Sequence, residues 1–178
     1  PVEAAPRRVI ANRGASGIDG VTSSALGAAA ASGRHVALLT GDLAFLHDVG
    51  GLVAGARTGA DATIVVVNDD GGGIFSYLPI AAHGEAVEFE RWFRTPHGRD
   101  LAHAAALAGV RHARAEDADH LAALLKESAA AGGVGVVEVR VDAEANRAQH
   151  RAIDAEVARA LAATPFEDAR GESGAGAR

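Results

Sequence analysis

Two runs of apolar residues without polar alternation, HVALL at 35–39 and TIVVV at 63–67, read as strands covered on both faces of a parallel sheet. VGVVEVRV at 134–141 predicts another such strand, and Arg8 to Ala11 a shorter one ahead of them. Helical patterns separate these runs: an Ala-rich stretch over 21–31, Phe45 to Ala56, Leu101 to Ala108 and Asp119 to Ala130. The alternation predicts an α/β fold, a parallel sheet with helices on both faces. Gly50-Gly51 weakens the second helix, and a close-packing or conformational reason is expected for it. A last helix over 143–163 carries Ile153, Val157 and Leu161 on one face, and the tail from Pro165 is expected to be disordered. IAAHGEAVEFERWFRTPHGRD at 80–100 reads as a long functional loop or short helix.

Both leading runs end in acid and glycine, in Thr40-Gly41-Asp42-Leu43 and in Asn68-Asp69-Asp70-Gly71-Gly72-Gly73. Ligands of open α/β sheets sit outside the carboxyl ends of the strands, so these two loops are the expected site. Two carboxylates, Asp42 and Asp69, with a loop carbonyl, suit one hard divalent cation that keeps phosphate and water in its shell, magnesium above all. On spacing alone, Asp42 and Asp69 serve equally well as caps of the helices that follow them.

Composition narrows the classes. The 178 residues, 48% hydrophobic and 22% charged, are ordinary for one globular domain, and a net charge of −6 argues against nucleic acid as the main partner. Cysteine is absent, which excludes disulfides, thiolate metal sites and a cysteine nucleophile. No run approaches a membrane span and no signal core opens the chain, so a soluble, cytoplasmic protein is expected. Methionine is absent too, so Pro1 is read as the start of a fragment or of a processed chain. The glycines at 14, 17 and 20 do not form the dinucleotide fingerprint, and the histidines are scattered, with His97 in TPHG the one to watch. Arg13 opens this glycine-rich loop, where a guanidinium can clamp a carboxylate or simply face solvent.

RGASGIDG at 13–20, GDLAFLHD at 41–48, VVNDDGGGIFSYLP at 66–79 and FERWFRTPHG at 89–98 resemble, in this order, the thiamine-diphosphate enzymes of the MenD family, the 2-succinyl-5-enolpyruvyl-6-hydroxy-3-cyclohexene-1-carboxylate synthases. The resemblance implies a pyrophosphate-binding domain over 1–164, with the pyrimidine-binding domain and its activating glutamate outside this chain. It implies thiamine diphosphate held through Mg2+ or Mn2+ on Asp42, Asp69 and Gly71. Ser16, Gly17 and Ile18 would meet the pyrimidine side, Ile18 holding the cofactor bent. Gly41, Leu43, Ala44, Gly71, Gly72 and Ile74 would complete the cofactor site. Arg13, Ile74, Phe75 and Leu78 would line the substrate cavity. The implied reaction decarboxylates 2-oxoglutarate and adds the remaining unit to isochorismate, in menaquinone or phylloquinone synthesis, by a homodimer or homotetramer. Two positions depart from the wider thiamine-diphosphate signature: Asp69 stands where asparagine is usual and Leu43 where glycine is. Another carboligase of the acetolactate-synthase type and a non-catalytic α/β module stay open as alternatives.

Overall fold

The computed structural model describes residues 8–12 and 17–163. It groups into two units, one ending at Ala143 and one beginning at Glu144. In the first unit, strands β1 (Val36–Gly41), β2 (Ala62–Asn68), β3 (Arg111–Ala115) and β4 (Val134–Arg140) form one parallel sheet in the order β1-β2-β4-β3. β2 and β4 are central and the most completely buried, as their largely apolar runs demand.

Helices α1 (Val21–Ser32), α2 (Asp42–His47), α3 (Val49–Gly55) and α4 (Leu101–Ala108) cover one face. There Leu26, Phe45, Leu52, Leu101 and Ala105 pack on Ala62, Ile64, Val66, Val134 and Val136. Helix α5 (Ala118–Ala131) packs on β2, β3 and β4, and its Ser128 hydroxyl meets that of Thr63 on the opposite face at 2.7 Å. Both faces of the central strands are thereby covered, as expected.

Two expectations are corrected, and one strand appears where none was expected. Residues 8–12 form no strand: Val9 and Ile10 are exposed and pair with no ladder, so β1 is an edge strand among the described residues. The helix expected over 45–56 is two helices that meet at Asp48, whose carboxylate accepts from the N–H and hydroxyl of Ser23 at 2.6 and 2.9 Å. The same contact explains Gly51, because a Cβ there would lie 2.0 Å from the Ser23 hydroxyl oxygen. Finally, RHARA at 111–115 is a strand without an apolar run; as the other edge it needs only one ladder, to β4.

In the second unit, helix α6 (Ala143–Ala163) forms as expected, with Ile153, Val157 and Leu161 on one stripe. The tail from Pro165 and the positions Arg13 and Ser16 lie outside the described residues. No described helix is long and apolar enough to cross a membrane.

Candidate active site at the carboxyl edge of the sheet

Gly41, the last residue of β1, pairs with Val67, and β2 ends at Asn68, so Asp42 and Asp69 leave neighbouring strands at the same edge. Asp42 is 2% exposed. Its Oδ1 accepts from the N–H of Leu43 at 2.6 Å and its Oδ2 from that of Gly71 at 2.8 Å. His97 Nε2 stands 3.1 Å from the same Oδ2. Because His97 Nδ1 accepts from the N–H of Arg99, a neutral ring carries its proton on Nε2 and donates it to Asp42. The Asp69 carboxyl has a raised pKa, first because it is buried and then because the Asp42 charge is near; Arg94 offsets part of the rise. Arg94 also donates to the Asp69 carbonyl at 3.0 Å.

The helix-capping alternative does not describe these acids. Gly41 occupies the cap position of α2, Asp42 is the first helical residue, and no side chain makes the capping bond. What Asp42 and Asp69 share is a poorly solvated edge where two negative charges repel. Among the described residues no three His, Cys, Asp or Glu side chains are grouped to hold a metal. A cation here would therefore take two carboxylates and backbone oxygen, a donor set that fits magnesium or manganese.

The glycine loop is tight because a second segment lies on it. Gly71 has φ +137°, and a Cβ there would lie 2.2 Å from the Arg94 carbonyl oxygen. That carbonyl accepts from the N–H of Gly72 at 2.7 Å. Asp70, itself at φ 60°, accepts from the N–H groups of His97 and Gly98 at 3.1 and 2.7 Å. Residues 93–98 are thus strapped across the loop, preceded by a π-turn at Glu90–Arg94. FERWFRTPHG and DDGGG, far apart in sequence, are one structural unit.

Ile74, Phe75 and Leu78 follow on and just after a 3-10 turn (Gly73–Tyr77), and they are 73%, 37% and 48% exposed. Phe75 meets Phe93 edge to face with ring centroids 6.1 Å apart, and Phe93 stacks on Phe89 at 5.5 Å. Leu43 and Ala44 are half-buried in the first turn of α2, Gly72 is buried, and Gly41, Gly17 and Ile18 are exposed. A cleft of about 390 Å³ opens beside the loop, with Asp69, Asp70, Arg99 and Arg140 among its walls.

Sequence reasoning passed over the layer beneath. Asn68 and Glu138 are buried on the α1 to α4 face, where the apolar rows of β2 and β4 run out. Glu138 Oε1 accepts from Asn68 Nδ2 at 2.7 Å and Arg140 Nε at 3.0 Å, and Oε2 accepts twice from Arg114 at 3.1 Å. Burial alone would raise the Glu138 pKa; the bonds from Arg140, Asn68 and Arg114 outweigh it and hold the carboxyl below its ordinary value. The available signal was a glutamate inside an otherwise apolar strand run, VGVVEV.

Residues 2–139 match the family described as thiamine pyrophosphate enzyme, C-terminal TPP binding domain. The chain belongs to this family. This thiamine-diphosphate-binding domain is 54% identical, over 93% of its length, to the 2-succinyl-5-enolpyruvyl-6-hydroxy-3-cyclohexene-1-carboxylate synthase of Myxococcus xanthus, of which it covers 28%. It is 46% identical over 85% of its length to the synthase of the same name from Natronomonas pharaonis, covering 25% of that protein. The domain thus spans roughly a quarter of the length of these relatives. Among solved structures, a thiamine diphosphate-dependent 4-hydroxybenzoylformate decarboxylase of Rhodococcus jostii RHA1 aligns with TM-score 0.57 and 28% identity, over 67% of this chain and 22% of the decarboxylase. A benzoylformate decarboxylase from Polynucleobacter necessarius aligns with TM-score 0.53 and 24% identity, over 67% and 23% of the two chains, a likeness of fold.

Proposed function

We propose that this domain, spanning residues 1–164, is the pyrophosphate-binding part of a thiamine-diphosphate-dependent synthase that decarboxylates 2-oxoglutarate and joins the four-carbon remainder to isochorismate. Identity to the two synthases supports the reaction, and the convergence of Asp42 and Asp69 at one buried edge carries the site. Asp42, Asp69 and the Gly71 carbonyl hold Mg2+ or Mn2+. The backbone at Gly41, Leu43, Ala44 and Gly72 approaches the diphosphate. Ser16, Gly17, Ile18 and Ile74 contact the rest of the cofactor, and Arg13, Ile74, Phe75 and Leu78 face substrate.

Thiamine diphosphate, when bound, supplies the carbon nucleophile for the decarboxylation and the carboligation. The chain's own residues anchor and orient. Asp42 and Asp69 would hold the cation that binds the diphosphate, and the strap of residues 93–98 fixes Gly71 and Gly72 in place within that loop. Arg13 pairs with a substrate carboxylate, worth about 1.5–3 kcal/mol for a charge-assisted bond. The carboxylic acid that activates the cofactor belongs to a pyrimidine-binding domain outside these residues. The intact enzyme is a homodimer or homotetramer of menaquinone or phylloquinone synthesis.

The test is a titration of the intact enzyme with cofactor and magnesium, followed by carboligation of 2-oxoglutarate with isochorismate. Asp42→Ala is expected to abolish cofactor retention and turnover, and Arg13→Ala to impair substrate use while retention persists. Unchanged cofactor affinity in Asp42→Ala removes the metal edge from the mechanism, and turnover by residues 1–178 alone removes the need for a second domain.

A further inference from the structure

The side chains of the buried pair Asn68 and Glu138 bond neither carboxylate assigned to the cation, yet Asn68 directly precedes Asp69 at the root of the loop. Asn68 uses both ends of its amide. Nδ2 donates to Glu138 at 2.7 Å, and Oδ1 accepts from the N–H of Asp70 at 3.0 Å, closing a turn around Asp69. Asp70 in turn accepts from His97 and Gly98, which holds the strap on the loop. On the far side Glu138 is pinned by the Arg114 and Arg140 guanidinium groups.

The chemistry of this chain is directional. An ionised carboxylate only accepts hydrogen bonds, so it compels the Asn68 amide to present its NH2 end and leaves the carbonyl end for Asp70. A neutral amide at position 138 keeps a single oxygen: on the Oε2 side its NH2 opposes two Arg114 donors, so the orientation that keeps both Arg114 bonds turns the NH2 toward Asn68 and Arg140. The Asn68 amide would then flip, and its NH2 would oppose the Asp70 N–H. The turn that presents Asp69 would lose its closing bond.

We infer that Glu138 is a positioning residue for the cation site, acting through the orientation it imposes on the Asn68 amide and, through Asp70, on the Asp69–Gly71 loop and its strap. The inference rests on the assignment of Asp42 and Asp69 to the cation, and it adds a determinant of cation affinity that touches neither metal nor substrate. Residues that orient the ligating groups from outside typically change metal affinity by about 10–100-fold when removed.

The experiment titrates magnesium into the intact enzyme at saturating thiamine diphosphate, reading cofactor retention, with the melting temperature recorded for each variant. Glu138→Gln and Asn68→Ala are each expected to raise the apparent magnesium Kd by about 10–100-fold. The double variant is expected to bind no more weakly than Asn68→Ala alone, because the two act along one path. Asn68→Ala leaves the arginine pairs of Glu138 in place, so it carries the test if Glu138→Gln does not fold. Ser128→Ala serves as control: it breaks a buried polar pair in the same sheet, with Thr63 at the amino end of β2, and is expected to lower the melting temperature without moving the Kd. A wild-type Kd in Asn68→Ala, or an equal rise in Ser128→Ala, overturns the positioning role. Loss of magnesium-dependent retention in the wild-type enzyme overturns the cation site itself and this inference with it.

Discussion

Replacing Gly71 by alanine tests the strap and the loop together. The residue sits at φ +137°, which side-chain-bearing residues avoid, and its Cβ would lie 2.2 Å from a backbone oxygen that cannot rotate away. The backbone strain is about 1–3 kcal/mol. Moving Arg94 to relieve the overlap breaks the Gly72 N–H bond to its carbonyl, about 1 kcal/mol more. The expected destabilisation is therefore about 2–4 kcal/mol, or on the order of 5–15 °C in melting temperature for a domain of this size. Gly27→Ala is the matched opposite: Gly27 lies inside α1 with nothing within 4 Å of its Cβ position, so alanine should stabilise by about 0.5–1 kcal/mol. Thermal unfolding of both variants, with magnesium-dependent cofactor retention as the second readout, is the assay. Gly71→Ala melting with the wild type and retaining cofactor normally would refute the close approach of strap and loop.

Two pH-linked outcomes follow from the shifted carboxyls. The Asp69 pKa is raised in the fold, so the ionised group opposes folding: its contribution is favourable while protonated and is lost as pH rises through the ordinary value toward the folded one. Asp69→Asn should therefore raise the metal-free melting temperature at pH 7, with the gain fading in acid, while weakening magnesium retention; a metal-free melting temperature lowered at every pH argues against the cost of burying an ionised Asp69 beside Asp42. The Glu138 pKa is lowered, so its contribution is complete above the ordinary glutamate value and is lost as pH falls through the folded value. Acid unfolding should accordingly be less pH-dependent in Glu138→Gln than in the wild type, and equal slopes would place the acid sensitivity elsewhere.

The sequence by itself determined the α/β class, the two central strands and the helices over 101–108 and 119–130, within a residue or so, because apolar runs rich in β-branched residues alternating with helical patterns leave few other readings. It also carried the family, since separated motifs in one order survive without any geometry. Tertiary structure alone decided what those motifs do to one another. RHARA is a strand because β4 offers it a ladder, and Arg8 to Ala11 is not one, with no neighbouring strand among the described residues. The break at Asp48 comes from Ser23 on another helix. That Gly71 exists for the Arg94 carbonyl, that His97 faces Asp42, and that Glu138 governs the Asn68 amide are all contacts between residues distant along the chain, 55 positions apart for His97 and 70 for Glu138. Periodicity reports only which face a residue takes within its own element; the partner across the sheet edge is chosen by packing, which no local pattern encodes.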